Sequence, residues 1–108
     1  MPAGRALLLH DFLDYHARVR SAHPFLVDGE RCLDYGEAVA ESRRIGRALL
    51  EAGLSPQDRV CVLSKNSADV ILFYLGASRA GIVPVPLNWR LAPAELAYII
   101  GEAGARAV

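Results

Sequence analysis

Cysteine is scarce in this sequence, and its two cysteines suggest no disulfide framework. Cys32 and Cys61 stand alone, without the paired spacing of a small secreted domain and without a cluster of histidines beside them. We therefore expect two reduced thiols, in or beside strands.

Long apolar runs are absent as well. The longest, Val70 to Ala77, is far shorter than the stretch of roughly 20 residues that a membrane-spanning helix needs. The apolar run at residues 7–9 is too short for a secretory signal, and His10 and Asp11 follow it at once. We expect no transmembrane segment and a cytoplasmic location.

Neither sign of charge is in excess. Twelve basic and twelve acidic residues give a formal net charge of zero, so nothing steers the chain toward nucleic acid or anionic lipid. Hydrophobic residues make up 53% of the 108 residues, which is typical of a globular chain that forms at most one small domain.

Two patterns that suggest ligand binding are incomplete. Four side chains near the N-terminus are of metal-binding types: His10, Asp11, Asp14 and His16. On a helix only the first and third are in line, which favours a solvated helical face over a metal site. Gly76 and Gly81 have the spacing of a phosphate loop, but no Lys-Ser or Lys-Thr pair follows them. We assign no metal site and no phosphate loop.

The segment from Arg59 to Leu91 is the centre of the sequence. Residues 59–64 form a short run rich in β-branched residues, typical of a buried strand. The helix that follows is apolar on every side, so we expect it to be covered all round. A second strand after it would complete a parallel βαβ unit.

Local signals set the limits of this unit. Asn66 can cap the helix, with Asp69 in the first turn, and Gly81 suits the left-handed residue that ends a helix. Pro84 and Pro86 lack a backbone N–H, so we expect them to cut the second strand short.

The flanking segments extend this α/β pattern. Helices are predicted near residues 7–20, 35–52, 67–80 and 93–101, a β-hairpin near 25–33, and strands near 59–64, 82–85 and 105–108. In the first helix an apolar face consists of Leu8, Phe12, Tyr15 and Val19. Asp34 and Glu37 form a capping-box analogue for the second helix. We predict an α/β fold with a partial parallel three-layer sheet and an early β-hairpin.

Several short segments match a known family in order and spacing. They are Leu33-Asp34-Tyr35-Gly36-Glu37, Asp58-Arg59-Val60, Asn66-Ser67 with Asp69, Arg79-Ala80-Gly81, Val85-Pro86-Leu87-Asn88 and Pro93-Ala94-Glu95-Leu96. Together they resemble the N-terminal part of the adenylate-forming (AMP-binding) superfamily, in its acyl-CoA synthetase, or fatty-acid–CoA ligase, branch. The resemblance implies that residues 1–108 are the N-terminal portion of an AMP-binding domain, with the remainder and a C-terminal domain outside this chain.

The chain departs from the family pattern at a few positions. Gln57 stands where the family usually has glycine, and it costs stability if the turn needs a positive φ. Ala92 stands where the family has a capping Ser or Thr. Asn88 with Arg90 resembles the acyl-CoA synthetases, since adenylation domains of peptide synthetases usually have Asp-Pro there.

The resemblance implies a two-step reaction. A carboxylic acid attacks ATP in the presence of Mg²⁺ to give an acyl-adenylate, and a thiol such as coenzyme A then accepts the acyl group. The family's catalytic motifs lie beyond residue 108, so we assign no catalytic residue. We expect the chain alone to be inactive and to bind none of these molecules tightly.

One residue is a candidate for a binding role. Arg90 follows the carboxyl end of the second parallel strand, the edge at which ligands bind in open α/β sheets. From there its side chain could reach a phosphate of coenzyme A. A surface arginine beside a locally packed Trp89 is the alternative.

Other functions remain open at the level of the sequence. The chain could be a small α/β binding module without catalysis, an inert fragment, or part of a peptide-synthetase adenylation domain. A strand at 105–108 needs a neighbour, so we expect the remainder of its own chain to be its structural partner.

Overall fold

The computed structural model describes residues 8–108. In this range the elements are α1 (Leu9–Arg20), β1 (Pro24–Asp28), β2 (Arg31–Asp34), α2 (Tyr35–Glu51), β3 (Arg59–Leu63), α3 (Ala68–Ala80), β4 (Val83–Leu87) and α4 (Pro93–Ala103). β1 and β2 pair antiparallel, and β3 and β4 pair parallel, in two separate sheets. The predicted α/β fold with an early hairpin and a parallel βαβ unit is confirmed. Residue 7, the predicted start of the first helix, lies outside the described residues.

Strand β4 contains both prolines of the unit. The prediction that they cut the strand short near residue 85 is wrong, because β4 continues to Leu87 and all of it is in register with β3. The N–H of Val83 donates to the carbonyl of Asp58 at 2.8 Å. Donors alternate along a parallel strand, so the nitrogens of Pro84 and Pro86 lie on the side away from β3, where a missing N–H costs this pair nothing.

Residues 105–108 do not form the predicted strand. They make one parallel bridge, between Val60 and Ala107, on the side of β3 away from β4. The N–H of Cys61 donates to Ala107 at 2.9 Å, and the N–H of Arg106 donates to Arg59 at 2.8 Å. Two hydrogen bonds hold the segment to the sheet, but they are too few for a strand.

Helix α2 begins as predicted. The carboxylate of Asp34 accepts from the N–H of Glu37 at 2.7 Å, and the Glu37 carboxylate accepts from the N–H of Asp34 at 3.0 Å. One face of α2 is buried or half-buried; it consists of Ala38, Ser42, Ile45 and Leu49. This face meets α3, because Gly46 and Gly76 let the two helix backbones approach closely: a Cβ on Gly46 would lie 2.9 Å from the carbonyl oxygen of Gly76.

The start of helix α3 differs from the prediction by one residue. Ser67, not Asn66, is the N-cap, and its hydroxyl accepts from the N–H of Val70 at 3.4 Å. The carboxylate of Asp28 in the hairpin accepts from the N–H of Ala68 at 3.0 Å. A residue distant in sequence thus satisfies one free donor of the helix, which local sequence reasoning does not reveal. At the other end Gly81 has the predicted left-handed conformation, with φ 74°.

Helix α3 is not covered on all sides by the described residues. Leu72 and Leu75 are buried, but Ile71 is 42% exposed, so the described residues do not by themselves supply the predicted cover on that side. No helix within residues 8–108 is long and apolar enough to cross a membrane.

Helix α1 is amphipathic, but its apolar face points to solvent and its polar face toward the other helices. Its predicted apolar face, Leu8, Phe12, Tyr15 and Val19, is exposed. The side that faces α2 and α3 carries buried Leu13, half-buried Ala17, and two polar residues, His10 and Asp14. The expectation of a solvated face for these polar residues is therefore wrong.

Candidate functional site

The carboxyl ends of β3 and β4 lie side by side. Leu63 is in register with Leu87, so the segments that leave the two strands start at the same edge of the sheet. Lys65 follows one strand, and Trp89 with Arg90 follows the other. Ligands of open α/β sheets bind at this edge, which makes these three residues the candidate site.

Two cations lie against one aromatic ring at this edge. The Nζ of Lys65 is 4.6 Å from the centroid of the Trp89 ring, and the Cζ of Arg90 is 5.0 Å from the same centroid. Both distances are within the range of cation–π contacts. Trp89 is 44% exposed, so its ring supports both cations without enclosing them.

The turn that carries Arg90 is held by Asn88. The side-chain carbonyl of Asn88 accepts from the N–H of Arg90 at 3.0 Å, and its backbone carbonyl accepts from the N–H of Leu91 at 3.1 Å. An asparagine that bonds to the backbone two residues ahead is a common way to fix a turn. The position of Arg90 therefore depends on Asn88.

The two cations suit an anion. None of the ion pairs formed within residues 8–108 includes Lys65 or Arg90. Both side chains are exposed, so each charge can meet a ligand from solvent. Guanidinium and ammonium groups together favour a phosphate.

Sequence reasoning named Arg90 as a candidate but not Lys65. A signal was present, because Lys65 and Trp89 each come two residues after the end of a strand, at Leu63 and Leu87. Parallel strands in register bring equivalent positions together. The turn before α3 is therefore part of the site.

A second polar cluster lies between helices α1, α2 and α3. Arg79 donates from Nη1 to the carboxylate of Asp14 at 3.2 Å and from Nε to the hydroxyl of Ser42 at 2.7 Å. The ring Nδ1 of His10 is 2.8 Å from the hydroxyl of Ser78. Partial burial would raise the pKa of Asp14, but the hydrogen bond and charge of Arg79 outweigh it, so the pKa lies below its ordinary value.

This cluster is structural. Its carboxylate is occupied by Arg79, and within residues 8–108 no group of three His, Cys, Asp or Glu side chains comes together to hold a metal. The glycines with phosphate-loop spacing are not a ligand site either, since Gly76 lies at the contact of α3 with α2 and Gly81 ends α3.

The parallel βαβ unit, with its candidate site at the strand ends, defines an α/β domain. The site is built from turns, as is usual when a rigid sheet presents binding residues. The chain belongs to the AMP-binding enzyme family, which matches residues 13–108.

Ligases are among the relatives. The chain is 38% identical over 92 residues to a fatty acid–[acyl-carrier-protein] ligase of Streptomyces coeruleorubidus, and 40% identical over 83 residues to a 3-hydroxybenzoate–CoA ligase of an Aromatoleum species. These alignments cover 85% and 77% of this chain, but only 18% and 16% of the relatives. The chain therefore spans less than a fifth of the length of either ligase.

A solved structure agrees with the fold. A benzoate CoA ligase from Burkholderia xenovorans superimposes with a TM-score of 0.88 at 29% identity, over 95% of this chain and 21% of that one. A peptide synthetase, surfactin synthase subunit 1 of Bacillus subtilis, matches 98% of this chain and 3% of its own length at 29% identity. The two ligases match at higher identity, in agreement with the predicted branch of the family.

Proposed function

We propose that this chain is part of an AMP-forming ligase that activates a carboxylic acid with ATP and transfers the acyl group to coenzyme A. Membership of the AMP-binding enzyme family supports the activation step, and the 40% identity to a 3-hydroxybenzoate–CoA ligase supports coenzyme A as the acceptor. In the proposed enzyme residues 1–108 are the N-terminal portion of the AMP-binding domain. The remainder of the chain is their structural partner, and the enzyme is cytoplasmic.

The proposed reaction has two steps. A carboxylate oxygen of the acid attacks the α-phosphorus of ATP, and the bond to pyrophosphate breaks. The thiolate sulfur of coenzyme A then attacks the acyl carbon, and AMP leaves. Both steps need donors or cations where negative charge develops.

Residues 8–108 supply little of this chemistry. Ion pairs occupy several carboxylates, as at Asp14 and Asp69, and the described residues do not fit a Mg²⁺ site. The contribution we propose for this segment is binding: it holds one phosphate of coenzyme A.

Lys65 and Arg90 are the residues proposed to hold that phosphate. Trp89 carries both cations, at 4.6 Å and 5.0 Å from its centroid, and the Asn88 turn sets the backbone of Arg90. A side chain that rests on a ring and a fixed turn has less freedom to lose when the phosphate binds. One observation carries the proposed phosphate site: two cations without an ion-pair partner among residues 8–108 lie against one ring at the strand ends.

The tryptophan offers a direct assay, because Trp89 is the only tryptophan in the chain. Intrinsic fluorescence is titrated with coenzyme A, with dephospho-coenzyme A and with inorganic phosphate. We expect a saturable change with coenzyme A that weakens as the salt concentration rises. A weaker response to dephospho-coenzyme A would assign the site to the 3′-phosphate, and an equal response would assign it to the pyrophosphate.

Variants make the assay specific. Lys65→Ala and Arg90→Ala should each weaken binding up to about fivefold, since an exposed charge contact contributes roughly 0.2–1 kcal/mol. Arg44→Ala removes an exposed arginine that pairs with Glu41 on α2, and it is the matched control. If coenzyme A leaves the fluorescence unchanged, or if Arg44→Ala weakens binding as much as Arg90→Ala does, the proposed site is wrong.

A second experiment tests whether the 108-residue chain binds without catalysing the adenylation step. The pure 108-residue chain is assayed for acid-dependent exchange of pyrophosphate into ATP, and we expect no exchange above a control without protein. The sequence has no loop rich in Ser, Thr and Gly followed by Lys, the element that would surround the phosphates of ATP. Exchange above the control would contradict the proposal that this segment only binds.

A further inference from the structure

The outward side of helix α1 is an apolar stripe made of Leu8, Phe12, Tyr15 and Val19. Each of these side chains is between 49% and 58% exposed. They belong to one face, because they recur at spacings of four, three and four residues. Continuous apolar patches of this kind often serve as interaction surfaces.

The orientation of α1 is fixed by polar contacts on its other side. Asp14 binds Arg79 of α3, and His10 contacts the hydroxyl of Ser78 in the same helix. Leu13 is fully enclosed beside them. The helix therefore cannot turn its apolar stripe inward without leaving Asp14 and Arg79 unpaired, which is costly at a half-buried position.

The spacing of the stripe is symmetric. Read from either end, the four residues follow the same four–three–four pattern, which is the seam of a short coiled coil. If a second copy packs antiparallel on this seam, Leu8 meets Val19 and Phe12 meets Tyr15. Each contact then occurs twice about a two-fold axis.

The charges beside the stripe favour the antiparallel arrangement. Asp11 and Arg18 lie on the same flank of the helix, seven residues apart. In an antiparallel pair each Asp11 faces the Arg18 of the other copy, so two opposite-charge contacts form. In a parallel pair the residue facing Arg18 lies five positions further on, beyond the end of α1 at Arg20.

The area limits the strength of such a pair. A large apolar side chain that is half exposed offers about 100 Å². Four of them in each copy bury about 800 Å² in total, below the roughly 1,200–2,000 Å² of stable interfaces. The dimer is therefore weak and forms only at high protein concentration.

We propose that α1 is a self-association surface, on which a second copy of this chain packs antiparallel through Leu8, Phe12, Tyr15 and Val19.

Sedimentation velocity over a range of protein concentrations tests the surface. The wild-type chain should show a reversible monomer–dimer equilibrium, and Phe12→Glu should raise the dissociation constant at least tenfold. Tyr98→Glu is the matched control, because Tyr98 is an aromatic on α4 that is even more exposed. A wild-type chain that stays monomeric at millimolar concentration overturns the proposal, and so does a dimer that Tyr98→Glu weakens while Phe12→Glu does not.

Charge reversal tests the pairing. Arg18→Asp places two acidic residues opposite one another and should weaken the dimer several-fold, while the double variant Asp11→Arg with Arg18→Asp should restore it. Asp11 also accepts from the N–H of Leu8 at 2.9 Å, so circular dichroism must show that α1 is retained in the double variant. If the double variant keeps its helicity but does not recover, the proposed Asp11–Arg18 contact is wrong.

Cross-linking tests the direction. In a Cys32→Ser background, which removes the exposed native thiol, Leu8→Cys and Val19→Cys proteins are mixed and oxidised. An antiparallel pair gives disulfides between the two variants. Disulfides formed mainly within each variant alone would indicate a parallel pair and would overturn the proposal.

Discussion

Gly76 is the residue whose substitution most directly tests the packing of this fold. It lies in the interior of α3, where α3 contacts α2. A Cβ at this position would be 2.5 Å from Cγ2 and 2.7 Å from Cβ of Ile45, and 3.0 Å from the carbonyl oxygen of Ser42. Two of these atoms are backbone or next to backbone, so a rotamer change cannot relieve the overlap. Gly76→Ala therefore forces α2 and α3 apart.

The magnitude follows from two opposing effects. Extra methyl groups in a packed interior cost about 1–3 kcal/mol, and this overlap is at the upper end because it involves the backbone. Alanine has a higher helix propensity than glycine, which returns about 1 kcal/mol. We expect a net loss of about 2 kcal/mol in the free energy of unfolding. In a domain of this size that loss lowers the melting temperature by roughly 10 °C.

Thermal melts followed by circular dichroism measure this effect, and Gly101→Ala is the matched control. Gly101 lies within α4, and a Cβ there would meet no atom within 4 Å. The same substitution should thus raise stability by about 0.5–1 kcal/mol at this site. The reasoning is refuted if Gly76→Ala melts at or above the wild-type temperature while Gly101→Ala behaves as expected.

Three further predictions concern other positions. Gln57 has φ 77°, so Gln57→Gly should stabilise the chain by about 1 kcal/mol in urea melts, and an unchanged midpoint would argue against strain in that turn. Ala92 begins α4 without a side-chain hydrogen bond, so Ala92→Ser should add about 1 kcal/mol, whereas Ala92→Val should not. The pKa of Asp14 is lower folded than unfolded, so its ion pair stabilises the chain above the ordinary value of 3.8 and is lost as pH falls through the folded value. Asp14→Asn should therefore flatten the acid limb of a pH–stability curve, and an unaltered limb would exclude this linkage.

Local chemistry explains what could be predicted from the sequence. The capping box of Asp34 and Glu37 and the left-handed Gly81 depend on contacts within a few residues or on the backbone of one residue. The parallel βαβ unit follows from the order of apolar segments, because two adjacent strands joined by a helical crossover run parallel. Arg90 could be named as a candidate because a strand end is a position that sequence can locate, and its binding role stays a prediction.

The tertiary structure decided the features that depend on residues far apart in the chain. The apolar stripe of α1 was visible in sequence, but its direction was set by Arg79 and Ser78 of α3, which bind the polar side of α1. Lys65 joined the candidate site only because the register of β3 and β4 brings it over Trp89. In each case the decisive interaction connects residues more than 20 positions apart, and the sequence of either segment alone does not contain its partner.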